Sequence, residues 1–197
     1  MKRTSTLLSI LILTLSVAVA CGERETTTDT VLSTETGTDT ALTTTTDTGP
    51  QTSLQPADQE FVNKAAKIGM AEVQLGNTVS GRAESPEVRS YAERMVADHT
   101  RSNDELRSFA TSKGMTLPTE LDADKKELDT RLASLSGAEL DRTYMDAMVQ
   151  DHATAISEFE RASNEASDPD LKAWATKTLP ALQEHHKMAQ DILSKLQ

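Results

Sequence analysis

Met95-Val96-Ala97-Asp98-His99 recurs later in the chain as Met148-Val149-Gln150-Asp151-His152. The likeness runs wider than five residues. Tyr91 and Tyr144 each precede their histidine by eight positions, and Glu105 and Glu158 each follow by six. Around the first copy, Val88, Ala92, Met95, His99, Leu106 and Ala110 recur at helical spacing. Around the second, Leu140, Tyr144, Met148, His152, Ile156 and Phe159 do the same. Apolar residues at that period form one stripe of an amphipathic helix. Each histidine therefore falls on the stripe expected to face a core.

Outward from these stripes the sequence divides into an address, a tether and a domain. The chain has 197 residues, enough for one domain with appendages. Its net charge of −11 leaves no basic face for phosphate, so nucleic acid is not an expected partner. Aromatic residues are only 3%, and Ala, Leu and Met supply much of the apolar content, which favours helices. One cysteine, Cys21, rules out an intramolecular disulfide and a cysteine-based zinc site.

Residues 1–20 have the form of an export signal. Lys2 and Arg3 precede an apolar run, Leu7 to Val17, too short for a permanent membrane span. The run ends in Ala18-Val19-Ala20-Cys21, which resembles the lipobox of bacterial lipoproteins. That resemblance implies cleavage before Cys21, lipidation of Cys21 and anchorage in the membrane through the lipid. Gly22 stands where an Asp would resemble an inner-membrane retention signal, so the expected site is the outer membrane, facing the periplasm. The plainer reading is an ordinary signal peptide cut after Ala20, with Cys21 a stray thiol. Residues 21–57 are rich in Thr and poor in apolar side chains. Such a segment buries too little surface to offset its ordering entropy, and it reads as a disordered tether.

From Asp58 to the C-terminus the pattern is helical throughout. A first helix over 58–80 carries Phe61, Ala65, Ile68, Glu72, Leu75 and Val79 on one stripe. Ser85-Pro86 opens a second helix as N-cap plus first-turn proline, and Gly114 stops it. Residues 115–137 form a long connection holding a short helix near 121–135. A third helix follows over 138–166. Asp168-Pro169 opens a fourth, in which Pro180 predicts a kink. The fold class is all-α: a four-helix bundle whose long middle connection crosses over, making the second and third helices parallel.

In that topology Glu72, His99, His152 and His185, one per helix, lie on inward stripes at similar heights. Three imidazoles and a carboxylate suit a divalent ion, with Fe, Zn or Mn as candidates. Met70, Met95, Met148 and Met188 lie close in sequence to these residues, and thioether with imidazole suits copper. Methionine at helical spacing more often fills a core, so copper is the less favoured ion. Asp98, Asp151 and Glu184 each precede a histidine, and His186 follows one. These four are candidates for outer contacts that orient the ligands, against the plainer reading that they are solvated. The reading without metal is a buried polar layer in which the imidazoles and Glu72 share protons. No Gly-x-Ser-x-Gly elbow and no phosphate-binding glycine loop is present.

Several stretches together resemble one bacterial family. They are Phe61-Val62-x-x-Ala65-Ala66 with Gly69-x-x-Glu72, Ser85-Pro86-Glu87-Val88 running to His99, and Leu117-Pro118. Leu135-Ser136-Gly137 with Asp141-Arg142-x-Tyr144, His152, and Leu179-Pro180-x-Leu182-x-x-His185 complete the set. They are similar to domain of unknown function 4142, whose members are often labelled outer-membrane proteins and grouped in the ferritin-like superfamily. The resemblance implies an exported ferritin-like bundle and no particular activity. Ferritin-like di-iron proteins carry Glu-x-x-His on two helices. Here Val96, Val149 and Leu182 stand three before the histidines, so a di-iron oxidase or iron store is not expected. The expectation is a non-enzymatic envelope lipoprotein that binds a metal ion for sequestration or stress tolerance. The alternatives are a structural or interaction module with a polar layer, and a metal-dependent oxidase or peroxide-consuming enzyme.

Overall fold

The computed structural model describes residues 53–196. The export signal, Cys21 and nearly all of the tether lie outside the described residues. Five helices run in order: α1 (Pro56–Ser80), α2 (Pro86–Ser112), α3 (Ala123–Ser134), α4 (Gly137–Glu165) and α5 (Pro169–Leu193). The expected boundaries hold within two residues, except that α5 ends at Leu193 where the sequence pattern carried it to the C-terminus. Among the described residues no helix is long and apolar enough to cross a membrane.

The helix ends follow the local chemistry. Ser85 Oγ accepts from the Glu87 and Val88 amides at 3.2 and 3.4 Å, and Asp168 accepts from Asp170 and Leu171 at 3.0 Å each. Each such cap contributes about 1 kcal/mol. At the end of α2, Gly114 takes φ 71°. The Met115 amide then reaches the Ala110 carbonyl at 2.8 Å and the Gly114 amide reaches Thr111 at 3.1 Å. This closure satisfies carbonyls that the last turn would leave bare, and it needs the left-handed conformation glycine tolerates. α5 continues as a helix through Pro180.

Cross-helix pairs fix the topology. Phe61 meets Phe159 (ring centroids 5.1 Å apart) and Glu72 meets His152, so α1 and α4 are antiparallel. Lys113 pairs with Asp168 and Arg94 with Glu184, so α2 and α5 are antiparallel too. Tyr91 faces Tyr144 and His99 faces His152, so α2 and α4 run parallel across the bundle. This is the crossover topology. The crossover helix α3 lies along α1. Lys67 binds Asp122 at 2.6 Å, Gln74 binds Asp129 at 2.9 Å, and Arg82 donates to the Leu132, Ala133 and Leu135 carbonyls. Leu132 pins α3 to the core with no exposed surface, a burial that stabilises by roughly 2 kcal/mol.

Packing begins before Asp58. Leu54 is 5% exposed within the core, and the Ser53 amide bonds the Lys113 carbonyl at 3.2 Å, so the last residues read as tether are part of the domain. Ile68 and Ile156, placed on the inward stripes by the sequence, lie at its edge, as do Trp174 and Leu179.

The core is two apolar clusters with a polar layer between. One contains Phe61, Leu106, Phe159, Leu171 and Leu182. The other contains Leu75, Val88, Met95, Leu140, Tyr144 and Met148. Along each of the four long helices the residue at the change from one cluster to the other is polar. Those residues are Glu72, His99, His152 and His185.

Candidate metal centre

The four residues that the sequence placed on inward stripes are all buried, between 1 and 6% exposed. The imidazoles of His99, His152 and His185 form a triangle with ring centroids 5.8, 5.6 and 5.5 Å apart. One ring nitrogen from each lies within 4.8 Å of one from each other. These three histidines could together hold a metal ion.

The outer bonds sort the nitrogens. His152 Nδ1 lies 3.0 Å from the Met148 carbonyl, one turn back on α4. A carbonyl only accepts, so Nδ1 carries the proton and Nε2 carries the lone pair. His185 Nε2 lies 3.0 Å from Asp98 Oδ2, which leaves Nδ1 as its lone pair. His99 Nε2, His152 Nε2 and His185 Nδ1 are all buried and have no hydrogen-bond partner in the protein. A carbonyl or carboxylate fixing one imidazole nitrogen while the other stays free is the usual support of a histidine ligand.

Electrostatics keep these rings neutral. Burial, then the nearby His152 and His185, hold His99 down to about 3. Burial and His185 hold His152 to about 4, against the upward pull of the Met148 carbonyl. Burial also lowers His185, although Asp98 opposes it. At neutral pH the layer therefore offers three uncharged nitrogen donors.

Glu72 sits beside this set. Its Oε1 is 3.9 Å from His152 Nδ1, on the side of the ring that faces the Met148 carbonyl. Burial, then Asp151, pushes its carboxyl up to about 8, with Lys125 opposing. Glu72 is thus protonated at neutral pH, and its contact with neutral His152 is not an ion pair. Its Oε2 and the buried hydroxyls of Tyr91 and Tyr144 have no partner in the protein. Burial and Glu72 both raise the two phenols far above their ordinary range.

Of the outer candidates, Asp98 engages the layer. It binds His185 from the neighbouring helix, not the adjacent His99, and is itself held by Arg94 at 3.2 Å and Arg101 at 2.7 Å. Burial raises its carboxyl, but the His185 and Arg94 bonds outweigh that and leave it below the usual range. Asp151 pairs instead with Lys125 of α3 at 2.5 Å. Glu184 is exposed and pairs with Arg94, and His186 lies 3.3 Å from Gln190. Met95 and Met148 pack in the apolar cluster beside the layer, and Met188 Sδ accepts from Arg94 at 3.2 Å.

Sequence reasoning missed two buried carboxylates outside the layer. Asp58 accepts the Ser167 and Asp168 amides at 3.1 and 2.8 Å. Asp141 accepts those of Glu84 and Ser85 at 3.0 and 2.6 Å. Each lies near the start of the helix that opens one hairpin and closes the turn of the other. An Asp near the start of both α1 and α4 was the available signal.

The titrations oppose one another, and the metal-free protein reports them. For His99 and His152 the folded values lie below the unfolded 6.5. The unfolded state binds more protons in that window, so their contribution is present above about pH 6.5 and lost as pH falls toward 4 and 3. For Glu72 the folded value is raised from 4.5 to about 8, so its contribution is lost as pH rises through that window. Two histidines outweigh one glutamate below pH 6.5, and Glu72 acts alone above it. Thermal unfolding of the metal-free protein therefore peaks near pH 6.5, and Glu72→Gln flattens the limb between 6.5 and 8. Equal Tm values at pH 6.5 and 8 in the unaltered protein contradict this assignment.

The family model described as domain of unknown function (DUF4142) matches residues 43–192. No curated protein matches the chain. Among solved structures, a DUF305 fragment from Deinococcus radiodurans superposes with a TM-score of 0.65 at 13% identity. It covers 72% of this chain and 98% of its own. A DUF305 protein from Streptomyces coelicolor, described as a candidate secreted protein, gives 0.63 at 14% identity, covering 71% and 93%. At these identities the likeness is one of fold.

Proposed function

The chain belongs to the family of domain of unknown function DUF4142, which carries no activity with it, and we propose from the site itself that the protein is a metal-binding protein of the cell envelope. His99, His152 and His185 are the ligands, and a divalent transition ion is the cargo.

The observation that supports this reading is the set of three unpartnered imidazole nitrogens in a buried layer. Leaving a buried polar atom unpaired costs about 1–3 kcal/mol, so three together cost a large share of a small domain's stability. Core histidines that serve only packing are hydrogen-bonded. An ion taken by all three nitrogens removes the penalty. Neutral imidazoles favour borderline ions such as zinc and iron over manganese, magnesium or calcium, which prefer oxygen. Glu72 supplies a carboxyl whose ionisation becomes favourable beside a cation.

Envelope location is supported by the Ala18-Val19-Ala20-Cys21 stretch behind an apolar run, and by the description of the Streptomyces coelicolor neighbour as a candidate secreted protein. Lipid on Cys21 would then tether the bundle to the membrane, with the Thr-rich segment as spacer.

Elemental analysis of the protein purified untagged from a metal-replete culture tests this reading. The expected result is about one transition ion per chain, lost in a His99→Ala/His152→Ala variant. Absence of metal in the unaltered protein, before and after reconstitution, leaves a polar-layered interaction domain instead. Asp98→Ala should keep the ligands but free the His185 ring, lowering affinity about 10–100-fold. An unchanged Kd by competition with a chelator contradicts the orienting role of Asp98.

A further inference from the structure

The three imidazoles are divided between two hairpins. His99 belongs to α2, in the hairpin formed with α1, whereas His152 and His185 belong to α4 and α5. Their free nitrogens are all closed to solvent. An ion therefore enters or leaves only when the helices around it part.

Three of the four edges of the bundle resist parting. Between α1 and α2, Gly76 allows an approach so close that a Cβ there would meet Val96 Cγ2 at 2.8 Å and the Ala92 carbonyl at 3.0 Å. Between α4 and α5 the turn is short, and Phe159 packs on Trp174 with ring centroids 5.3 Å apart. Along α1–α4, Phe61 packs on Phe159, and α3 spans the pair, with Lys67–Asp122 on one side and Lys125–Asp151 on the other. Asp58 and Asp141 tie the starts of α1 and α4 to the turn of the opposite hairpin.

The fourth edge, α2–α5, is built differently. Lys113 and Asp168 pin one corner at 2.6 Å. Beyond that corner the polar contacts are Glu105 with Lys177, Asp98 with His185, and Arg94 with Glu184. The Lys177 and Glu184 side chains are 69 and 57% exposed. Exposed pairs of this kind hold weakly, because water replaces either partner. A cavity of about 140 Å³, lined from both helices, leaves this edge incompletely packed.

Resting on the metal reading above, we propose that the ion is a clasp between the hairpins. They turn about the α1–α4 edge, the α2–α5 edge opens to admit or release the ion, and the bound ion holds that edge shut. Only the closed arrangement brings His99 to the other two imidazoles. The ion therefore binds the closed state more tightly and shifts the population toward it. Opening also parts Asp98 from His185, the bond that orients that ring. Metal content is thereby coupled to the shape of the α2–α5 edge.

A staple across this edge is one arm of the test. The full chain carries Cys21→Ser with Glu105→Cys and Lys177→Cys, joined by a short bis-maleimide or, as control, each capped with N-ethylmaleimide. The native side chains bond each other at 2.9 and 3.0 Å, so replacing them leaves the three imidazoles in place. Zinc release to excess chelator should be at least about ten-fold slower in the stapled protein than in the capped one. Charge reversal is the opposite arm. Lys177→Glu sets a like charge against Glu105 and should speed zinc uptake and release together, by about three-fold or more, with Kd changing less than either rate. Lys67→Glu, which reverses the pair between α1 and α3, should leave both rates unchanged. Equal release from stapled and capped protein overturns the clasp. So does a Lys67→Glu effect as large as that of Lys177→Glu, or faster release from Lys177→Glu with uptake unchanged. In each of those cases zinc bound by the unaltered protein leaves the metal reading standing, whereas no zinc in the unaltered protein sinks both.

Discussion

His152→Ala abolishes ion binding at micromolar metal, and His99→Ala and His185→Ala do nearly the same. In the proposed site each imidazole is one of three protein donors to one ion. A structural zinc site with four ligands binds with about 10–16 kcal/mol, so each ligand is worth roughly 3 kcal/mol, or more than about 100-fold in affinity. The effect should be largest at His152. Its ring is 1% exposed and its tautomer is fixed by the Met148 carbonyl on its own helix, so nothing can swing in to replace it. Glu72→Gln should behave differently. Its carboxyl lies on the Nδ1 side of His152, away from the free Nε2, so the amide variant keeps the three nitrogens and loses a compensating charge. Isothermal titration with zinc separates the cases: measurable binding in Glu72→Gln, none in His152→Ala. Tight binding by His152→Ala contradicts the three-imidazole assignment.

Asp58→Ala and Asp141→Ala are expected to be strongly destabilising although neither residue belongs to the layer. Each carboxylate is buried, at 3 and 1% exposed, and each takes two backbone amides of the opposite hairpin's turn. Removing it leaves two N–H groups without their acceptor at about 1–3 kcal/mol each. A loss of about 3 kcal/mol lowers Tm by about 6–12 °C in a domain of this size. The two sites lie at opposite ends of the bundle, so the double variant should show the sum of the two losses. Thermal melts of the three variants decide it, and a Tm within 2 °C of the unaltered protein for either single variant would refute the tying role.

These two aspartates also show what the sequence conceals. The repeated Met-Val-x-Asp-His stretch pairs α2 with α4, which run parallel on opposite corners of the bundle. The structural correspondence is a different one. Asp58 with the Ser167–Asp168 turn mirrors Asp141 with the Glu84–Ser85 turn, so the α1–α2 hairpin matches the α4–α5 hairpin. Spacing on one helix could expose the inward stripes, because a helix converts sequence separation into angle at a known rate. Ser85-Pro86, Gly114 and Asp168-Pro169 marked their helix ends for the same local reason. The length of the 115–137 connection gave the crossover.

Contacts between helices were not legible in that way. Asp98 was a candidate to orient one of the imidazoles, but its sequence position did not say which; it binds His185 across the α2–α5 interface. That bond depends on the rotation and height of two helices, which a sequence stripe leaves open by several ångströms. Tyr91 and Tyr144 were visible as repeat positions, but not as buried hydroxyls beside Glu72. Glu72 and the three histidines came to one layer as expected. Which nitrogens would stay free depended on carbonyl and carboxylate partners that only the packed structure reveals.

The most direct test of the central claim is X-ray absorption at the metal edge of the zinc-loaded protein. The account predicts nitrogen or oxygen neighbours at about 2.0–2.1 Å, with the outer-shell scattering of three imidazole rings. A shell of oxygens without that imidazole signature, or with one ring at most, would place the ion elsewhere and contradict the metal centre described above.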